Sequence, residues 1–102
     1  MAEKTFFIDT RDGSVTPATL RVSILGGDVV YWTINSGAAV VAFDPDRATP
    51  VAYIRGPAVS PPAPACGYPQ VIGKHPHRVL YEVPGKKKFR EVSITPVLII
   101  DP

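Results

Sequence analysis

Three side chains in this chain have the chemistry to hold a soft metal or to act as nucleophile and base: Cys66, His75 and His77. Lys74-His75-Pro76-His77-Arg78 sets two imidazoles one residue apart, a spacing that could chelate a cation. The flanking Lys74 and Arg78 charges oppose cation binding there. A single Cys with a His-x-His also departs from structural zinc spacings, which draw on paired Cys or His ligands. The simpler expectation is two exposed loop histidines and a loop thiol. The alternative is a metal-binding or redox protein using Cys66, His75 and His77. A Cys–His nucleophilic dyad would also need an orienting group, and Ala65-Cys66-Gly67 lies in a proline-rich stretch that offers none.

Carboxylates give no stronger signal. Asp44-Pro45-Asp46 reads as a turn, because Asp bonds to backbone two residues on and Pro fixes φ. Asp9 and Asp12 around Arg11 read the same way. No phosphate-cradling glycine loop, nucleophile elbow or catalytic carboxylate pair appears. The expectation is a non-enzyme without a cofactor.

Bulk properties narrow the class further. The chain has 102 residues, enough for one domain spanning 1–102 with a single core. Hydrophobic residues make up 45% and charged residues 20%, a globular balance. The formal net charge of +2 gives little reason to expect nucleic acid or a membrane surface as partner. The one basic run, Lys86-Lys87-Lys88, reads as a solvated turn. One cysteine excludes an intrachain disulfide. No apolar run approaches the roughly 20 residues of a membrane span, and the first residues lack the pattern of a signal peptide. The sequence as written is therefore expected in the cytoplasm, or in the periplasm had a leader been trimmed.

The elements that would position these residues are strands. Residues 5–10 alternate, with Phe6 and Ile8 on one face. Residues 19–25 place Leu20, Val22 and Ile24 inward. Gly27-Asp28 then launches Val29-Val30-Tyr31-Trp32-Thr33-Ile34-Asn35, with Val30, Trp32 and Ile34 sharing a face. Further strands are expected at 39–43, 51–55, 78–83, 88–95 and 97–100, with a bulge near Arg90-Glu91 where Phe89 falls out of phase. Residues 56–69 are too proline-rich for a central strand and read as a long loop. The expected core is Leu20, Val22, Ile24, Val30, Trp32, Ile34, Val41, Phe43, Val79 and Tyr81. No segment keeps a helical period.

Thr16-Pro17-Ala18-Thr19-Leu20-Arg21-Val22, the Gly27-to-Asn35 run and the late Val83-Pro84-Gly85 turn together resemble the cupredoxins. The resemblance implies an all-β Greek-key β-sandwich of about seven or eight strands, an immunoglobulin-like architecture. It also implies where copper ligands would fall: one His near Ala39 or Val40, the rest in a loop here represented by Val92-Ser93-Ile94-Thr95-Pro96-Val97. None of these residues can ligate copper through sulfur or imidazole. The implied module is metal-free, and its binding end would be where Asn35-Ser36-Gly37-Ala38 meets Thr95-Pro96. Candidate contact residues are Asn35 and Ser36 there, with Tyr53, Arg55 and Tyr68, whose types are enriched at interface hot spots. The partner is an unknown protein or small molecule, and the oligomeric state is left open.

Overall fold

The structure is a computed structural model that describes residues 2–102, and it is all β. Among the described residues, twelve strands form three sheets: β1 (Glu3–Asp9), β2 (Ser14–Thr16), β3 (Thr19–Ser23), β4 (Val29–Ile34), β5 (Ala39–Ala42), β6 (Val51–Arg55), β7 (Ala58–Val59), β8 (Ala65–Pro69), β9 (Gly73–Pro76), β10 (Arg78–Glu82), β11 (Phe89–Glu91) and β12 (Val97–Asp101). A five-stranded sheet runs β2-β1-β4-β8-β6. A four-stranded sheet runs β11-β10-β5-β7, and a three-stranded sheet β3-β12-β9. The strand count exceeds the expected seven or eight because β2, β7, β8 and β9 form where turns and loops were expected. β2 and β3 flank Pro17, which has no N–H for a ladder, and they belong to different sheets. Likewise β9 and β10 are separated by His77 alone, and the chain changes sheet there.

Two parallel pairings tie distant segments together. β1 lies parallel to β4 with Phe6 opposite Trp32 and Ile8 opposite Ile34. β12 lies parallel to β3 with Leu98 opposite Leu20 and Ile100 opposite Val22. The alternation read from sequence therefore feeds one core: Phe6, Ile8, Leu20, Val22, Val30, Trp32, Val41, Val79, Leu98 and Ile100 are all buried. Ile24 and Phe43 are half-buried and pack against it. Phe89 and the rest of β11 are exposed. The β10–β11 pairing runs in regular register from Leu80–Glu91 to Glu82–Phe89, so the expected bulge at Arg90-Glu91 is absent. No helix of the described residues is long and apolar enough to cross a membrane.

The proline-rich stretch departs most from the sequence expectation. Residues 56–69 hold β7 and β8, and β8 is an interior strand between β4 and β6. The prolines do not obstruct it because they stand outside or at the end of the strand. Pro64 precedes β8, and Pro69 closes it opposite Val51. Small residues occupy its centre. A Cβ on Gly67 would lie 2.7 Å from the Ala52 carbonyl oxygen, so the β6 backbone fits only against glycine. Gly67→Ala is accordingly expected to force β6 and β8 apart and cost about 1–3 kcal/mol. The check is the urea midpoint at constant m-value; an unchanged midpoint refutes the close-approach argument.

Candidate functional site

The candidate residues fall into three places. The first is the end of the sandwich formed by the β4–β5 loop. Thr10 is buried, and Asn35 Oδ1 accepts bonds from its backbone N–H and its hydroxyl, both at 3.0 Å. Asn35 Nδ2 donates to Asp9 Oδ1 at 3.0 Å, and the Ser36 and Thr10 hydroxyls are 3.0 Å apart. Asn35 therefore cross-ties the ends of β1 and β4, which the parallel pairing brings together. Asp9 is held down to about 2 chiefly by hydrogen bonds from Arg11, whose guanidinium grips both carboxylate oxygens at 3.0 and 2.8 Å. Asp9, Asp12 and Asp44 each accept from backbone N–H two residues on, as turn residues do.

Around this cross-tie three connections meet. Ser36 and Gly37 border the Val83–Lys87 turn across a groove of about 510 Å³. The Glu82 N–H donates to the Ala38 carbonyl at 2.8 Å. On the other side, Thr33 and Ile34 line a shallow depression of about 130 Å³ with Ser60, Pro61, Pro62 and Pro64. Neither Thr95 nor Pro96 lines these two grooves. Pro96 directly precedes β12, and its carbonyl accepts from the His77 N–H, between β9 and β10, at 3.0 Å. Two residues before Thr95, the Ser93 N–H donates to the Gly13 carbonyl at 3.0 Å, and the Gly13 N–H to the Asp9 carbonyl at 2.9 Å.

The second place is the core. His77 is 2% exposed, not a loop histidine. Its ring meets Phe43 at 4.8 Å, Phe6 at 5.3 Å and Trp32 at 5.7 Å between centroids. Trp32 Nε1–H can only donate, so at 3.2 Å His77 Nε2 must accept. Nδ1 then carries the proton and donates to the His75 carbonyl at 3.1 Å. Both partners demand neutral imidazole, and burial pushes its pKa down to about 4. A sequence signal for this did exist. The inward alternation Val79, Tyr81 extends two residues back to His77 in phase.

Cys66 is also buried rather than a loop thiol. It pairs in register with Tyr31, while the His77 ring contacts the next residue, Trp32. Successive side chains point to opposite faces, so Cys66 and His77 stand on opposite sides of the five-stranded sheet. His75 Nε2 donates to the Val71 carbonyl at 2.7 Å. Cys66, His75 and His77 are thus not gathered into one ligand set. Tyr53, expected at the surface, turns its ring to Trp32 at 6.4 Å, and burial lifts its hydroxyl to about 12. Arg55 and Tyr68 are exposed on β6 and β8. Ala52 pairs with Tyr68, and Arg55 with Cys66, so the two do not share a register pair.

The third place is a pocket of about 520 Å³ at the end of β5 away from Asn35. Phe43, Arg47, Pro50, Ile72, Lys74 and His75 line it, among others. Sequence reading did not single it out, because its residues come from the connections on either side of β6 and β8.

No protein-family model and no curated protein sequence matches the chain. Among solved structures, the chain is similar to the cysteine protease inhibitor EhICP2 from Entamoeba histolytica, at 14% identity, a TM-score of 0.50 and coverage of 97% of each chain. It is also similar to the N-terminal domain of phage TP901-1 ORF48, at 8% identity, a TM-score of 0.44 and full coverage of both chains. The first likeness bears on fold alone: this chain is an all-β, sandwich-like domain.

Proposed function

We propose that this chain is a metal-free, non-catalytic binding module that takes a protein partner at the loop end around Asn35 and Ser36. The proposal includes a Greek-key, cupredoxin-like connectivity for the sandwich. One observation carries it: the end of β4 borders the 60–64 segment, and the β4–β5 loop that follows it borders the Val83–Lys87 turn, although these segments are far apart in sequence. Loops on a rigid sheet scaffold are where binding surfaces are commonly built. The Asn35–Thr10 bonds and the prolines of 60–64 hold that surface in one shape, which lowers the ordering cost of docking. Lys86, Lys87 and Lys88 stand exposed beside it, without ion pairs among the described residues, so the surface suits a partner with an acidic rim.

A domain of similar fold in Entamoeba histolytica is described as a cysteine protease inhibitor. A cysteine protease is therefore the first protein to offer this end, followed by affinity capture from the native host. The wild-type chain, Ser36→Arg, Lys86→Glu/Lys87→Glu and Lys74→Ala are run side by side. The reading predicts a saturable partner that both loop variants lose, with affinity down at least tenfold, and that Lys74→Ala retains. Equal binding by all four chains refutes the loop end as the binding surface.

A further inference from the structure

The pocket at the far end of β5 is independent of the loop end, and its chemistry is specific. We infer that it is a binding site for a small amphipathic carboxylate, an organic acid with an aromatic or branched apolar body. Its volume of about 520 Å³ lies within the range of small-molecule sites. Phe43, Pro50, Val71, Ile72 and Pro76 supply an apolar lining, and Ile72 is 59% exposed.

The walls are tied in place. Gln70 joins the two connections that form them: its backbone N–H donates to the Pro50 carbonyl at 2.8 Å and its side-chain Nε2 to the Thr49 carbonyl at 2.8 Å. The His75–Val71 bond fixes the turn into β9, where Gly73 takes a φ of 133° that a side chain would strain. A pocket built this way is shaped before any ligand arrives.

Its charges favour an anion. Two cations, Arg47 and Lys74, face one carboxylate, Asp44. That carboxylate is already engaged: Asp44 Oδ1 accepts from the Asp46 N–H at 2.9 Å, and Oδ2 stands 3.7 Å from Arg47 Nε. Lys74 has no ion pair or hydrogen bond to its ammonium among the described residues. One cation at the mouth is left uncompensated, beside an apolar wall. A ligand carboxylate would pair with Lys74 and Arg47 while its apolar body lies on Phe43.

The chain reports such binding through its own single tryptophan. Trp32 meets Phe43 edge-on at 6.0 Å, so a ligand seated on Phe43 lies one ring from the indole. The probe is 4-phenylbutyrate, with 4-phenylbutan-1-ol as its uncharged counterpart. Trp32 emission should change saturably with the acid and at least fivefold more weakly with the alcohol. Arg47→Ala/Lys74→Ala should weaken the acid about tenfold at an unchanged urea midpoint, as the loss of two exposed charge contacts predicts. Backbone amide shifts should map to 43–50 and 70–76. No saturable change at millimolar acid, equal affinity for the alcohol, or shifts mapping elsewhere would each overturn the inference. The loop-end proposal stands or falls separately, because its two loop variants, Ser36→Arg and Lys86→Glu/Lys87→Glu, lie outside these two segments, and Lys74→Ala serves there only as the control that keeps the partner.

Discussion

His77→Ala is expected to cost about 3–5 kcal/mol. Two terms add. Removing a buried ring from among Phe6, Trp32 and Phe43 leaves a cavity of the kind that makes aromatic-to-alanine changes cost several kcal/mol. It also strips the acceptor from Trp32 Nε1–H, and a buried donor left unpaired costs about 1–3 kcal/mol. Small domains hold only about 5–15 kcal/mol in total, so the variant should be partly unfolded at moderate temperature. Urea unfolding of His77→Ala, Trp32→Phe and the double variant separates the terms. The two single costs should exceed the cost of the pair, since Trp32→Phe removes the donor that His77→Ala orphans. A cost for His77→Ala below about 1 kcal/mol would show that the ring is not clamped as described.

The same residue marks the limit of what the sequence displayed. The strands around it were readable: Val30, Trp32 and Ile34 alternate in β4 as they alternate in the chain, and Val79 and Tyr81 do so in β10. Local period is set by the backbone, so it survives in sequence. What does not survive is which strands become neighbours. The β1–β4 parallel pairing decides that Asn35 ties down Thr10. The sheet change at His77 decides that a histidine flanked by Pro76 and Arg78 turns inward. The first is not encoded within a window of ten residues, whereas the second leaves a local trace, because His77 falls in phase with Val79 and Tyr81. The proline-rich stretch misled for a related reason. Composition over 56–69 suggests a loop, yet Ala65-Cys66-Gly67-Tyr68 is free of proline and its small residues suit a crowded interior position.

Lowering the pH should destabilise the fold in a window that His77 defines. The unfolded imidazole titrates near its ordinary 6.5, whereas in the fold burial drives it down to about 4. The groups facing the ring are Phe6, Trp32 and Phe43, none of them charged, with the His75 carbonyl at Nδ1 and the His75 ring as the nearest titratable neighbour. Between those two values the unfolded chain binds a proton that the folded chain refuses, so stability rises with pH there. The contribution is complete above about 6.5, falls as pH drops toward about 4, and is constant below that. Two and a half units at about 1.4 kcal/mol each give roughly 3 kcal/mol over the window. Asp9, held down to about 2, adds a separate loss only below its ordinary 3.8, because its charged form is the one the Arg11 bonds favour. Urea titrations at pH 7.5, 6, 5 and 4 should show the stability falling most steeply between 6 and 5. His77→Gln keeps an acceptor for the indole but cannot titrate, so it should flatten the profile above pH 4, while His75→Gln leaves the slope in place. A profile in His77→Gln as steep as that of the wild type would assign the acid loss to other groups and remove His77 as its cause.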